Sequence, residues 1–85
     1  MTNEQVYNEP IGVTASIDYE GQIAPLRFIW QGKQHLVVDV GRQWTTPEGR
    51  HVLVLTADGS RFELELSRQS LVWYLRRGWQ TEVVA

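Results

Sequence analysis

The sequence contains no cysteine, so disulfide bonds and thiolate metal sites are excluded. It also lacks any apolar run close to the roughly 18 residues that a membrane-spanning helix needs. The polar segment 1–10 has neither the basic nor the apolar region of a secretion signal, so we expect none. Because the absence of cysteine is typical of a reducing compartment, we expect a cytoplasmic protein with no membrane partner.

Motifs for catalysis and for cofactor binding are missing too. The chain has no Gly-x-Ser-x-Gly, no glycine-rich phosphate loop and no His-Glu-x-x-His. His35 and Asp39 would lie about 13 Å apart along a strand, too far to share a metal ion. Glu63 and Glu65 are expected on an exposed strand face beside Arg61, where they would be solvated rather than catalytic. We therefore expect a protein that is not an enzyme and binds no metal or cofactor.

What is present is the composition of one small globular domain. Apolar residues make up 42% of the 85 residues, charged residues make up 21%, and four Trp, three Tyr and two Phe supply a core. The net charge of −2 argues against a dedicated binder of phosphate backbones. We expect a single domain over residues 9–79, with disordered ends at residues 1–8 and 80–85.

Turn residues separate short runs of alternating apolar and polar residues, a pattern that predicts antiparallel strands. The strongest signal is Asp58-Gly59, because both residues tolerate the positive φ of a two-residue type I′ hairpin turn. Centred there, the hairpin pairs Leu53 with Leu64 and Leu55 with Phe62. Both strands then direct their leucines and Phe62 toward one face.

Further turns extend this register. Residues 46–49 (Thr-Pro-Glu-Gly) pair Trp44 with His51, and residues 31–33 predict a three-residue loop. Residues 67–77 fit either a last strand or a helix, and the strand is favoured. The predicted apolar face then contains Leu26, Phe28, Trp30, Leu36, Val38, Val40, Trp44, Leu53, Leu55, Phe62, Leu64, Leu66, Leu71, Trp73 and Leu75.

An apolar sheet face must be covered, and no segment shows a long helical period that would supply a covering helix. We therefore predict an all-β fold. It is a small antiparallel meander of five to six strands that forms a partly open barrel of SH3-like size, or a strongly twisted sheet. Gly41 is the candidate bend or bulge, and residues 11–19 are the candidate sixth strand.

Two sets of residues are candidates for binding. The first lies on the second sheet face and predicts self-association as a homodimer; it consists of Val37, Val52, Val54, Val72 and Tyr74. The second combines basic and aromatic residues that predict contact with nucleic acid or another partner; it consists of Arg27, Lys33, Arg42, Arg76, Arg77 and Trp79. Alternatively, the aromatic residues form the core and the arginines lie over it.

The aromatic and glycine landmarks resemble a family of small bacterial all-β domains of unknown function. The matching residues lie within about residues 9–77: Glu9-Pro10, Pro25-x-x-Phe28-x-Trp30-x-Gly32, Val37/Val38, Val40, Trp44, Leu64-x-Leu66 and Trp73-x-Leu75. Such domains also occur fused to the C-terminus of some error-prone Y-family DNA polymerases. The resemblance implies an accessory role in DNA repair and no catalytic residues. Relatives often carry a longer insert rich in Trp and Arg, where this chain has only residues 45–49.

These observations predict a non-enzymatic binding module that acts through protein contacts or self-association. The alternative is a nucleic-acid-binding accessory domain linked to DNA repair or translesion synthesis.

Overall fold

The computed structural model describes residues 2–81, which form six antiparallel strands closed into a barrel in the order β1 to β6. The strands are β1 (Thr2–Ile17), β2 (Ile23–Trp30), β3 (Lys33–Thr46), β4 (Gly49–Thr56), β5 (Arg61–Ser67) and β6 (Trp73–Thr81). The predicted small all-β barrel is confirmed. The helical alternative for residues 67–77 is wrong, because their second half belongs to β6. Residues 2–81 include no helix with the length and the apolar character needed to cross a membrane.

The predicted disorder at residues 1–8 is wrong for residues 2–8, which form the first half of β1. Their backbone pairs with β6, from Thr2 opposite Thr81 to Val6 opposite Arg77. This pairing closes the barrel and supplies the ladder hydrogen bonds that an isolated terminus would lack. Residues 80 and 81, also predicted to be frayed, lie in β6, while residues 82–85 fall outside the described part of the chain.

The barrel interior is filled by six fully buried side chains, contributed by four of the strands. Val52 lies opposite Leu64 and Val54 opposite Phe62, so β4 and β5 supply facing pairs. The cluster consists of Phe28, Val52, Val54, Phe62, Leu64 and Leu75, and partly buried side chains pack against it at Tyr7, Ile11, Val13, Trp30, Val37, Val40 and Trp73. Since residues 2–81 form strands and no helix that could cover the sheet, closure is what buries its apolar face.

The predicted register of the β4–β5 hairpin is wrong by one residue. Its loop has three residues rather than two, because the Thr56 amide donates to the Ser60 carbonyl and Gly59 takes the left-handed conformation, with φ of 87°. A one-residue shift exchanges the two faces of β4. Leu53 and Leu55 therefore face outward, while the valines between and before them face the core.

For the β2–β3 hairpin the prediction is wrong in the opposite direction. Its loop has two residues, where three were predicted. Gln31 and Gly32 both have positive φ, 53° and 71°, as a type I′ turn requires. Phe28 consequently pairs with His35 instead of Leu36. Leu36, predicted for the core, lies outward on β3, and two further members of the predicted face, Leu26 and Val38, lie at irregularities of the pairing and are about half exposed.

Two other predictions about the register are confirmed. Trp44 pairs with His51 across the β3–β4 turn, and β3 is bulged between Val40 and Gln43, the segment that contains Gly41. The β5–β6 connection is longer than predicted, so Leu66 pairs with Trp73. Leu71 lies in that loop and is 73% exposed, which removes it from the predicted core.

A side chain completes the contact between β2 and β3. Their ladder covers only four residue pairs, and it ends where Arg27 meets Leu36. Beyond this point the Gln43 side-chain amide donates to the Ile23 carbonyl at 2.6 Å and accepts from the Ile23 amide at 3.4 Å. One glutamine side chain thus takes the place of a neighbouring strand at the start of β2.

Candidate functional site

The outer face of β3–β6 places side chains from four strands in rows across the sheet. In one row Asp39 is opposite Leu55, Leu55 is opposite Arg61, and Arg61 is opposite Trp79. Since neighbouring strands lie about 4.8 Å apart, Asp39 and Arg61 are separated by roughly 10 Å. The row runs from an acid through an apolar residue to a base and an aromatic ring.

A groove of about 370 Å³ lies along this row. Leu53 and Leu55 form its apolar floor. Position 41, where β3 bulges, also lines the groove and is a glycine. A Cβ atom at Gly41 would lie 3.6 Å from the Leu53 carbonyl oxygen and 3.7 Å from the Leu53 Cβ, in ordinary contact. A side chain at position 41 would therefore start beside Leu53, on the lining of the groove. Its lining residues are Asp39, Gly41, Leu53, Val54, Leu55, Arg61 and Trp79.

A buried polar network adjoins the groove on the same face. The Glu63 side chain lies within 2.9 Å of His51 Nδ1, which donates to it because an ionised carboxylate only accepts. His51 Nε2 is 2.8 Å from the Thr46 hydroxyl, and the Trp44 indole stacks on the imidazole with ring centroids 5.1 Å apart. Both ring nitrogens of His51 thus have partners within the protein, and His51 is not among the residues that line the groove.

Two arginines of β6 neutralise the two glutamates of β5. Arg76 donates to both oxygens of Glu65, at 2.8 and 3.2 Å, and Arg77 donates twice to Glu63, at 2.9 and 2.6 Å. These hydrogen bonds raise the pKa of both guanidinium groups above its usual value. Glu63 and Glu65 are buried in this network, at 5% and 3% exposure, so the prediction that they are solvated is wrong.

The six predicted basic and aromatic contact residues do not form one surface. Arg27 and Lys33 lie on the β2–β3 hairpin, which β1 separates from β6. Arg76 and Arg77 are bound to glutamates, Arg42 lies over the Trp44 ring at 5.4 Å, and only Trp79 lines the groove. Arg77 in turn lies 5.3 Å from the centroid of the Trp79 ring and holds it against the sheet.

The predicted self-association face does not exist as a surface. Val52 and Val54 are core residues, each 2% exposed, and Val37 packs against them. Of the remaining two, Tyr74 is partly covered by the Arg76 guanidinium at 4.7 Å, and Val72 is in the β5–β6 loop. Other apolar side chains are exposed, and those on β2 and β3 are Leu26, Ile29, Leu36 and Val38. Homodimer formation itself stays a prediction.

Sequence reasoning missed most of the groove, including Asp39, Leu53, Leu55 and Arg61. Two signals were available in the residues themselves. The first is the bend or bulge predicted at Gly41, which lines the groove. Trp79, beyond the last predicted strand, was the aromatic residue least explained by a core.

Across residues 2–81, no group of three or more His, Asp or Glu side chains is arranged to hold a metal ion.

The chain matches no protein-family model, no curated protein and no solved structure. The resemblance to bacterial β domains that occur beside DNA polymerases therefore stays a prediction.

Proposed function

We propose that this chain is a non-enzymatic binding module that recognises another protein through the groove on the outer face of β3–β6. One observation carries the proposal: an apolar groove of about 370 Å³ lies on a rigid sheet beside a tryptophan. That volume falls at the lower end of the range of about 300–1,000 Å³ for ligand sites, so one large side chain and its neighbours would fill it.

The surroundings of the groove support binding rather than chemistry. His51, Glu63 and Glu65 are hydrogen-bonded within the protein, and none of the three lines the groove, so a ligand in the groove does not contact them. The groove floor belongs to β4, which is paired with β3 on one side and β5 on the other, so the floor is held in place before a ligand binds. As part of the same proposal, we assign the module to the cytoplasm.

A peptide selection tests the proposal. Random heptapeptides displayed on phage would be selected on the immobilised wild-type chain and then measured for binding to two variants. Gly41→Leu places a side chain in the groove without backbone strain, because Gly41 does not have a positive φ and an added Cβ atom would make only ordinary contacts. Gly12→Leu adds the same side chain on β1, where no heavy atom lies within 4 Å of the added Cβ, and serves as the matched control.

The expected result is that selected peptides bind wild type and Gly12→Leu alike and lose at least about tenfold in affinity for Gly41→Leu, a change of about 1.4 kcal/mol. Equal binding to all three folded proteins, or no enriched peptide at all, would contradict the proposal. Circular dichroism and thermal unfolding confirm that the two variants are folded.

A nucleic-acid-binding accessory role is the second proposal. It is favoured by Arg42 over Trp44 and by Trp79, since bases stack on aromatic rings beside cations. The pairing of Arg76 and Arg77 with glutamates weakens it. Fluorescence anisotropy with single-stranded DNA at about 50 mM salt decides: salt-sensitive micromolar binding supports this role, and no binding ends it.

A further inference from the structure

The charges around the groove specify the kind of peptide that it accepts. We infer that the partner segment is an extended peptide that places a large apolar side chain on Leu53 and Leu55 and an acidic group against Arg61. This inference rests on the proposed function, because it concerns the ligand of the same groove.

Arg61 differs from the other arginines of β5 and β6 on this face. Arg76 and Arg77 each have a buried carboxylate, at 2.8 and 2.6 Å. Arg61 has Leu55 and Trp79 as its cross-strand neighbours, and among the side chains that the structure describes it makes no hydrogen bond or ion pair. The groove therefore carries a cation whose charge no neighbouring acid compensates, and an anionic ligand group is its natural complement.

Asp39 gives the groove an opposite charge at its other end. Asp39 Oδ1 accepts a hydrogen bond from the Val40 amide at 3.0 Å, which leaves the second oxygen for a ligand donor. The roughly 10 Å between Asp39 and Arg61 corresponds to about three residues of extended peptide. A peptide with its acidic group at Arg61 and its donor groups at Asp39 is thus oriented across the strands.

At the Arg61 end, a basic group fits the groove poorly. Asp39 is its one lining carboxylate, and Glu63, the nearest acid of β5, is already bound to Arg77 and His51. A cationic side chain near Trp79 would meet Arg61 without any acid to offset the repulsion. The charge complementarity therefore favours an acidic group over a basic one at the end of the groove that Arg61 and Trp79 line.

The test repeats the heptapeptide selection on wild type, Arg61→Gln and Arg61→Glu. Arg61 is exposed, so both variants are expected to fold, which thermal unfolding checks. Wild type should enrich peptides with Asp or Glu within about three residues of a Leu, Ile, Phe or Trp. Arg61→Gln should keep the apolar residue and lose the acidic preference, and Arg61→Glu should enrich Lys or Arg at that position.

The contribution of the acidic residue to the affinity is then measured with a single selected peptide. Replacing its acidic residue by the matching amide should weaken binding to wild type about tenfold and leave binding to Arg61→Gln nearly unchanged. Peptides that lack an acid but are still blocked by Gly41→Leu would overturn this inference and leave the proposed function standing. If no selected peptide is sensitive to Gly41→Leu, the proposed function fails instead.

Discussion

Arg77 joins two carboxylates at the edge of the outer face. It lies 2.6 Å from the buried Glu63 and 3.3 Å from Glu4, whose side chain is 48% exposed. A buried carboxylate is costly unless its charge is matched and its oxygens are hydrogen-bonded. Glu63 meets both conditions, because Arg77 binds one oxygen and His51 the other.

The burial of this network was not predictable from the alternation of residues. The pattern correctly placed Glu63 and Glu65 on the face opposite Phe62 and Leu64, and an outward position usually means solvent. Here the long side chain of Arg76, bonded to Glu65, shields the face from water. Periodicity predicts the face of the sheet on which a side chain lies. It gives no information about which side chains of a neighbouring strand cover that face.

Replacing Glu63 by alanine should lower the free energy of unfolding by about 1–3 kcal/mol, because His51 Nδ1 is left buried without an acceptor. Urea unfolding measures the change. The matched control is Glu4→Gln, which weakens the exposed contact to Arg77 and should cost less than about 0.5 kcal/mol. Equal effects of the two substitutions would show that the buried network contributes no more than a surface ion pair.

His35 makes stability depend on pH. Burial lowers its pKa below the usual 6.5, Lys33 lowers it further, and the Asp58 carboxylate opposes both. The unfolded chain therefore takes up this proton at a higher pH than the folded chain does. The stabilisation is fully present above pH 6.5 and is lost as the pH falls through the folded-state value.

Urea unfolding of wild type and His35→Gln between about pH 7.5 and pH 5 tests this assignment. We expect wild type to lose stability relative to the variant as the solution becomes more acidic. The range ends above the region where Asp58 titrates, since a hydrogen bond from Thr56 lowers the pKa of that carboxyl from 3.8. Parallel pH profiles for the two proteins would contradict the role of His35.

At the scale of strands, the sequence predicted the elements better than their registers. Alternation and turn residues identified the hairpins, but loop length decides which face of a strand is buried. Gln31 accepts a positive φ, which shortens one loop, and the Thr56–Ser60 hydrogen bond lengthens another. These residue types do not predict the length of the loop in which they lie. One face was therefore assigned wrongly in each hairpin.

Gln43 links β2 to β3 beyond their short ladder, and its exchange for glutamate should be costly. A carboxylate cannot donate to the Ile23 carbonyl, so we expect a loss of about 1–2 kcal/mol in the free energy of unfolding. Gln34→Glu, at an exposed position of the same strand, makes the same chemical change and should cost less than about 0.5 kcal/mol. Faster hydrogen exchange at the Ile23 amide in Gln43→Glu alone would place the effect at this contact. Unchanged exchange there would contradict it.

The whole molecule solves the problem of covering an apolar sheet by closing it, with β1 paired to both β2 and β6. Closure leaves the outer surface for the proposed site, and it explains how much of that site was predictable. Trp79 was singled out from sequence. Leu53 and Leu55 were assigned to the core, so the floor of the groove became visible only with the correct register.

The most direct test of this account is a titration of the isotope-labelled wild-type chain with a selected peptide, followed by NMR. We predict that the amide resonances that shift most belong to residues of the groove: Asp39, Gly41, Leu53, Leu55, Arg61 and Trp79. Shifts concentrated on the exposed apolar residues of β2 and β3, at Leu26, Ile29, Leu36 and Val38, would contradict it.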